Sequence, residues 1–311
     1  MQIDIIIPLY KPDKELFTLL DRLSRQTVAV NKIILINTEE KYFEKLVYGN
    51  RSIDKYKNII EVYHLSKREF DHGKTRRKGV GKSKADIFVM MTQDAMPADD
   101  ELIANLISPI INDKEKKIAA SYARQLSKPD GGVLEQFTRR FNYPDKSCIK
   151  SQADIEKLGI KAFFCSNVCA AYRRDIYDEL GGFVKRTIFN EDMIYAASAI
   201  KAGYKIAYEA SARVIHSHNY TCIQQFKRNF DLGVSQAEYP EVFGGIHTES
   251  EGMKMVKEAP AYFKKIKKKG KLPYFYLQCL CKYAGYFFGK NYKKLPRRII
   301  LKMTTNPDYF L

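Results

Sequence analysis

Five short, apolar, β-branched runs separated by helix-patterned or charged stretches constrain this chain more than any other feature. They are IDIIIPLY at 3–10, KIILIN at 32–37, IIEVYHL at 59–65, ADIFVMMTQD at 85–94 and KIAASYARQL at 117–126. Consecutive apolar positions in a short run mark a strand buried on both faces. Between the first two, KELFTLLDRLSRQ at 14–26 spaces Leu16, Leu19, Leu20 and Leu23 at helical intervals. HGKTRRKGVGKSK at 72–84 opens a further, basic helix, and DDELIANLISPI at 99–110 predicts one with acids in its first turn, where the helix dipole favours them. This alternation predicts an α/β fold, a mostly parallel sheet flanked by helices on both faces. A length of 311 residues allows a sizeable core, in one large domain or one domain with an extension.

In open α/β sheets, ligands bind beyond the C-terminal ends of the strands. Three of those ends carry Pro8-Leu9-Tyr10, Asn37-Thr38 and Gln93-Asp94. Asp94 suits a divalent cation, since Mg²⁺ is commonly held by one or two protein carboxylates plus substrate phosphates; an Asx-type turn is the competing reading. His216-Ser217-His218 follows a later strand run, and alternate residues of an extended segment share a face. One of these histidines can join Asp94 on a metal, leaving the other to pack. Glu191-Asp192 opens a helix pattern. Acids there are stabilised by about 0.3–1 kcal/mol through the dipole alone, or one can take a proton from an attacking hydroxyl. FDHGKTRR at 70–77 joins a glycine, which admits close backbone approach, to arginines able to grip a phosphate; a solvated basic loop is the plain alternative. GxxxxGK[ST] is absent and no GxGxxG follows the first strand, so neither a P-loop nor a dinucleotide fingerprint is present.

Beyond 126 the pattern is less regular. A loop-rich stretch leads to a strand, a helix and a Gly-Gly stop over 160–183. The pattern then predicts a helix from Glu191-Asp192, a stop at Gly203, one strand at 205–208, another running into His216, and a helix over 222–236. None of the six cysteines forms a CxxC pair, and Met1 leads directly into a strand, so a reducing, cytoplasmic setting is expected. The net charge of +17 is concentrated at the end: 261–311 hold thirteen Lys/Arg against one acid, Asp308. That asymmetry points to a polyanion, either membrane or nucleic acid. PYFYLQCLCKYAGYFFG at 273–289 falls short of the roughly 20 residues a membrane span needs. Its basic flanks, KKIKKKGK and KNYKKLPRR, suit a helix lying on anionic lipid. Packing against the core is the alternative. No RNA-reading motif accompanies the charge, so nucleic acid is not expected.

The order of IPLYKP, Asn37-Thr38, FDHGKTR, TQDAMP, ARQL, FNYP, SNVCAAYRR, GGF, NEDM and HSHNY…QQFKR…GVSQ resembles the family-2 glycosyltransferases of GT-A fold, over about residues 1–235, and most closely their bacterial rhamnosyltransferase branch. The resemblance implies a catalytic domain over 1–220, with a nucleotide-binding half at 1–125 and an acceptor half at 126–220. A basic, helical region at 221–311 follows. It implies inverting transfer of rhamnose from dTDP-L-rhamnose, with a UDP-hexose as the alternative donor. The acceptor implied is a hydroxyl of a lipid-linked surface polysaccharide, and the place of work the inner face of the cell membrane, with a homodimer possible. Asp192 takes the role of base, with Glu191 orienting hydroxyls. Pro8, Tyr10, Asn37 and Thr38 line the nucleoside pocket. His72, Gly73, Arg76, Gln93 and Asp94 face the donor's phosphates or sugar. Asp94 and His218, with His216 as its competitor, hold Mg²⁺ or Mn²⁺. Two positions depart from the wider family: Asn37 stands where an Asp is usual, and Gln93 replaces the first acid of the metal motif.

Overall fold

The computed structural model describes residues 1–48, 51–245 and 249–311. The chain opens with β1 (Ile3–Tyr10), α1 (Glu15–Ser24), β2 (Lys32–Thr38), α2 (Glu40–Val47), β3 (Ile60–Leu65), α3 (His72–Lys82) and β4 (Ile87–Met91). It continues with β5 (Met96–Pro97), α4 (Leu102–Ile111), β6 (Ile118–Leu126), α5 (Val133–Asn142), β7 (Cys148–Lys150) and α6 (Ile155–Leu158). Then come β8 (Cys169–Arg173), α7 (Arg174–Glu179), α8 (Glu191–Lys201) and β9 (Lys205–Ile215). Helices α9 (Cys222–Glu238), α10 (Pro240–Phe243), α11 (Glu249–Lys265), α12 (Leu272–Lys290) and α13 (Arg297–Met303) close it.

Among the described residues the strands form one sheet of order β3-β2-β1-β4-β8-β6-β9-β5, with β7 beside β9. The first four strands are parallel, as the alternation predicts, and β6 is parallel to β9. Between these groups β8 runs antiparallel to both neighbours, so the sheet as a whole is mixed. The central strands are buried on both faces, and their alternate residues feed two cores. Ile6, Phe88 and Met90 join Tyr172, Phe183 and α8 on one side. Ile5, Ile7, Val89 and Met91 join α1 and α4 on the other. Two details differ from the expectation. Asp99, Asp100 and Glu101 precede α4 rather than form its first turn. The two strands expected between 205 and 216 are one continuous β9, whose pairing with β6 shifts register after Glu209.

Helix α12 lies against α9 at unusually short range. A Cβ on Gly285 would stand 2.1 Å from the Phe226 carbonyl oxygen, and one on Gly289 equally close to that of Phe230. These glycines let the two backbones touch. Gly285→Val is therefore expected to push the helices apart, at a cost of about 1–3 kcal/mol, read as a lowered thermal midpoint; an unchanged midpoint would refute the close packing. The opposite face of α12 exposes Tyr276, Leu280, Tyr283 and Phe287. No described helix is long and apolar enough to cross a membrane.

Candidate active site

The strand ends meet as the sequence suggests, and the amide that replaces a family acid has a clear task. Pairing of β1 with β4 stops at Ile6–Met90, while β2 continues alongside β1 to Tyr10. Pro8, which has no N–H to give, falls where β4 no longer needs one. The side chain of Gln93 then takes the place of the missing strand. Its Oε1 accepts from the Tyr10 N–H at 2.9 Å, and its Nε2 donates to the Tyr10 carbonyl at 3.0 Å. A carboxylate could make only the first of these bonds. Gln93→Glu is expected to leave the Tyr10 carbonyl without its donor and to destabilise by about 0.5–1.5 kcal/mol, without strengthening metal binding. Tighter Mn²⁺ binding in that variant, measured by titration, would contradict this account.

One residue on, Asp94 faces both histidines. Its Oδ2 lies 3.1 Å from His218 Nε2 and 3.5 Å from His216 Nε2, and the two Nε2 atoms are 2.9 Å apart. Strand β9 delivers the pair, its register carried one residue past its end by a bond from the His216 N–H to the Leu126 carbonyl. Gln125, buried at the end of β6, fixes the first ring. Its Nε2 donates to the hydroxyls of Tyr143 and Ser166, so its Oε1 must be the acceptor for His216 Nδ1 at 3.0 Å and for Arg139. Nδ1 therefore carries the proton, and Nε2 presents a lone pair toward Asp94. The His218 ring is stacked on Tyr220. Burial raises the Asp94 carboxyl, but the two imidazoles beside it more than offset this and hold it below the ordinary range. Octahedral ligands at about 2.1 Å lie about 3.0 Å apart, close to the spacing of these three atoms. One carboxylate and two imidazoles thus fit a divalent ion on one face of its coordination sphere.

The two acids of α8 are held apart in character. Asn190 adopts a left-handed conformation just before the helix and turns both side chains inward. Asn167 reaches both: its backbone N–H donates to Asp192 Oδ2 and its side-chain amide to Glu191 Oε1, each at 2.9 Å. Glu191, 4% exposed, pairs with Arg76 Nε at 3.0 Å. That contact is an ion pair without linear hydrogen-bond geometry. Burial pushes the Glu191 carboxyl up, but the Arg76 charge and the Asn167 amide more than offset this and hold it low. Asp192 has no such cation. Burial and the neighbouring Glu191 charge push it up to about 7. Burial also pushes His72 down to about 4, so its neutral Nδ1 can accept from Arg76 Nη1 at 3.2 Å.

Asp94, His72, Arg76, Glu191, Asp192, His216 and His218 all line one cavity of about 610 Å³. Gly73 does not. It is buried because the Val184 carbonyl lies where its Cβ would be. The start of α3 is capped by Asp71, which accepts from the Lys74 N–H at 2.9 Å, so a carboxylate already occupies that helix end. Asn37 and Thr38 are buried at the end of β2, with Asn37 Oδ1 and Thr38 Oγ1 lacking hydrogen-bond partners. Beside them the Tyr10 ring meets Tyr42 edge-on at 5.9 Å, with Lys11 over both. Sequence reasoning did not single out Gln125, Asn167, Tyr42 or two further cations of the cavity, Arg228 on α9 and Lys282 on α12. Burial lowers the Lys282 ammonium. Arg228 lies over the Phe189 ring at 4.7 Å.

Comparisons with known proteins bear on the family and the fold. Residues 4–181 match the family described as Glycosyl transferase family 2. An O-antigen chain rhamnosyltransferase of Salmonella typhimurium is 40% identical over 306 residues, 95% of this chain and 92% of that protein. Another, from Salmonella anatum, is 40% identical over 266 residues, 81% of each. A mannosyltransferase of Pyrobaculum calidifontis, solved with GDP-Man and Mn²⁺, superposes with a TM-score of 0.60 at 12% identity, covering 94% of this chain and 86% of that one. TarS of S. aureus, solved with UDP-GlcNAc, gives 0.53 at 10%, covering 94% and 92%. The solved structures share the GT-A-like fold, and the sequence matches settle the family: this chain is a glycosyltransferase of family 2.

Proposed function

We propose that the protein is an inverting rhamnosyltransferase that moves L-rhamnose from dTDP-L-rhamnose to a hydroxyl of a growing, lipid-linked surface polysaccharide. The observation that carries this reading is the 40% identity to two O-antigen chain rhamnosyltransferases across most of the chain. Asp192 is the base that takes the acceptor proton. A half-buried carboxylate next to Glu191 has its proton affinity matched to neutral pH, where such a base works best. Glu191, neutralised by Arg76, keeps that affinity high and orients the acceptor. Pro8, Tyr10, Asn37 and Thr38, together with Tyr42, receive the nucleoside. Arg76, Arg228 and Lys282 give the cavity a cationic wall for the diphosphate. Asp94, His216 and His218 would hold a divalent cation, which supplies Lewis-acid neutralisation of the leaving diphosphate when bound. Two imidazoles favour Mn²⁺ over Mg²⁺, whose usual ligands are oxygens.

A donor screen tests the reading. With a lipid-linked acceptor pool and mass detection of product, dTDP-L-rhamnose should support nucleotide release and transfer. Faster turnover of a UDP-hexose would overturn the donor assignment.

The proposed partner at the cytoplasmic face of the cell membrane is anionic lipid. The exposed Tyr276, Leu280, Tyr283 and Phe287 of α12 lie between the lysines of 264–271 and those of 290–294. Burying one such side chain contributes about 1.5–3 kcal/mol, and each lysine near an anionic surface about 1 kcal/mol at low salt. Leu280→Asp with Tyr283→Asp should therefore abolish flotation with phosphatidylglycerol vesicles while leaving nucleotide binding intact. Unimpaired flotation would reject this face as the contact.

A further inference from the structure

We propose that a second cavity, beside the one holding Asp192, binds an anion that carries an apolar chain, in chemical class a polyprenyl phosphate. The assignment rests on the acceptor reading above and gives that acceptor's carrier a place on the protein. The cavity, about 700 Å³, lies where α5, β7, the turn before Phe164 and α11 meet. Its walls are mainly apolar, with Phe137, Phe141, Phe164, Tyr208 and Tyr262 among the lining residues. Asn142 and Glu258 are the only amide and carboxylate among its described lining residues, too few to satisfy the hydroxyls of a sugar chain. An apolar chain matches these walls better.

The charges name the other end of the ligand. Among the described residues, Arg140, Lys254 and Lys265 line the cavity with the acid Glu258. A further cation, Lys150, is 3% exposed. Its ammonium donates to the Phe164 carbonyl and, at 3.3 Å each, to the Lys161 carbonyl and the Tyr122 hydroxyl, and it lies 4.8 Å from the Tyr122 ring centre. All of these partners are neutral. A buried charge whose hydrogen-bond partners are all dipoles is costly, and burial accordingly pushes this ammonium down to about 8. An anion in the cavity would supply the missing opposite charge. Asn142 and Phe164 line both this cavity and the one containing Asp192, so the wall between them is one residue thick. A carrier seated here would present its attached sugar to the base. Phe137, Phe263 and Phe275 join α5, α11 and α12 in one small core, linking the cavity wall to the helix whose far face is exposed and aromatic.

The chain has no tryptophan, so Tyr262→Trp makes a single fluorescent reporter in the wall of the full-length protein. Farnesyl diphosphate is the probe, with farnesol and inorganic diphosphate as its two halves. Farnesyl diphosphate should quench saturably and bind about tenfold or more tighter than either half. Lys254→Glu with Lys265→Glu, both on the exposed side of α11, should weaken it by about tenfold or more without changing the thermal midpoint. Equal binding of farnesol would reduce the cavity to an unselective apolar pocket. Equal binding of inorganic diphosphate would reduce it to a basic patch, and indifference to the double charge reversal would remove the anion from the site. Each of these outcomes overturns the proposal. The titration needs neither donor nor turnover. Binding without transfer would therefore count against the rhamnosyltransferase reading alone, and transfer without binding against this site alone.

Discussion

Asp192→Asn is expected to lower kcat by about 10²–10⁴-fold, the range for loss of a positioned general base, with the affinity for donor nucleotide nearly unchanged. The carboxylate lies in the shared cavity but pairs with no cation among the described residues. Its two oxygens accept from the N–H groups of Asn167 and Met193 at 2.9 and 2.8 Å. Burial and the Glu191 charge push its proton affinity up to about 7. The sign of the pH effect follows. A base must be deprotonated to act, so log(kcat/KM) should rise with unit slope below about 7 and level off above it. Glu191→Gln removes the neighbouring negative charge and leaves the Arg76 cation unneutralised. Both changes favour ionised Asp192, so the acid limb should move to lower pH. The same variant should be less stable by about 3–5 kcal/mol, because it strands a buried guanidinium. A flat profile between pH 5.5 and 8, or normal turnover in Asp192→Asn, would falsify the assignment of Asp192 as base.

The sheet was legible where local sequence and tertiary burial agree. Ile5, Ile6 and Ile7 in succession can only be accommodated by a strand with core on both sides, and both cores contain them. Orientation was not legible. Nothing in the CAAYR run of β8 says that it enters antiparallel between β4 and β6, because periodicity reports faces and not direction. The break read between two strands near residue 209 is a register shift within β9: the polar Glu209 and Ser211 interrupt the apolar run while the backbone remains extended. The same limit applies to the site. Asp94, Asp192, His216 and His218 were visible as chemistry at the ends of elements. Gln125 was not, because an amide inside a strand acquires a role only when β9 brings a histidine beside it. Lys282 read as a polar interruption in an apolar helix. It reaches the cavity because Gly285 and Gly289 let α12 settle onto α9, a contact between segments about fifty residues apart in sequence. The domain boundary implied at residue 220 by the resemblance therefore does not bound the cavity, which draws Arg228 and Lys282 from beyond it.

Removal of divalent cation is expected to abolish transfer, and Asp94→Ala to remove metal-dependent nucleotide binding as well as activity. The argument starts from Gln93. In the wider family pattern that position is an acid that can share the cation's charge; here the amide is fully engaged with the Tyr10 backbone and cannot serve as a ligand. The charge on the protein side would then come from Asp94 alone, with the imidazoles of His216 and His218 beside it. Such a set should bind Mn²⁺ more tightly than Mg²⁺, since Mn²⁺ accepts nitrogen readily and Mg²⁺ prefers oxygen and water. It should also depend on the group that fixes His216. Gln125→Leu keeps all three ligands but frees the ring, and should lower Mn²⁺ affinity by about 10–100-fold. Asp94→Ala should do worse, because it takes away the only negative charge among the three ligand residues. Paramagnetic resonance of free Mn²⁺, titrated with dTDP present, reads these affinities without turnover. If Asp94→Ala binds Mn²⁺ as the native protein does, the triad is not the metal site. If Gln125→Leu is indifferent while Asp94→Ala is not, the carboxylate holds the ion and the fixed imidazole serves another purpose.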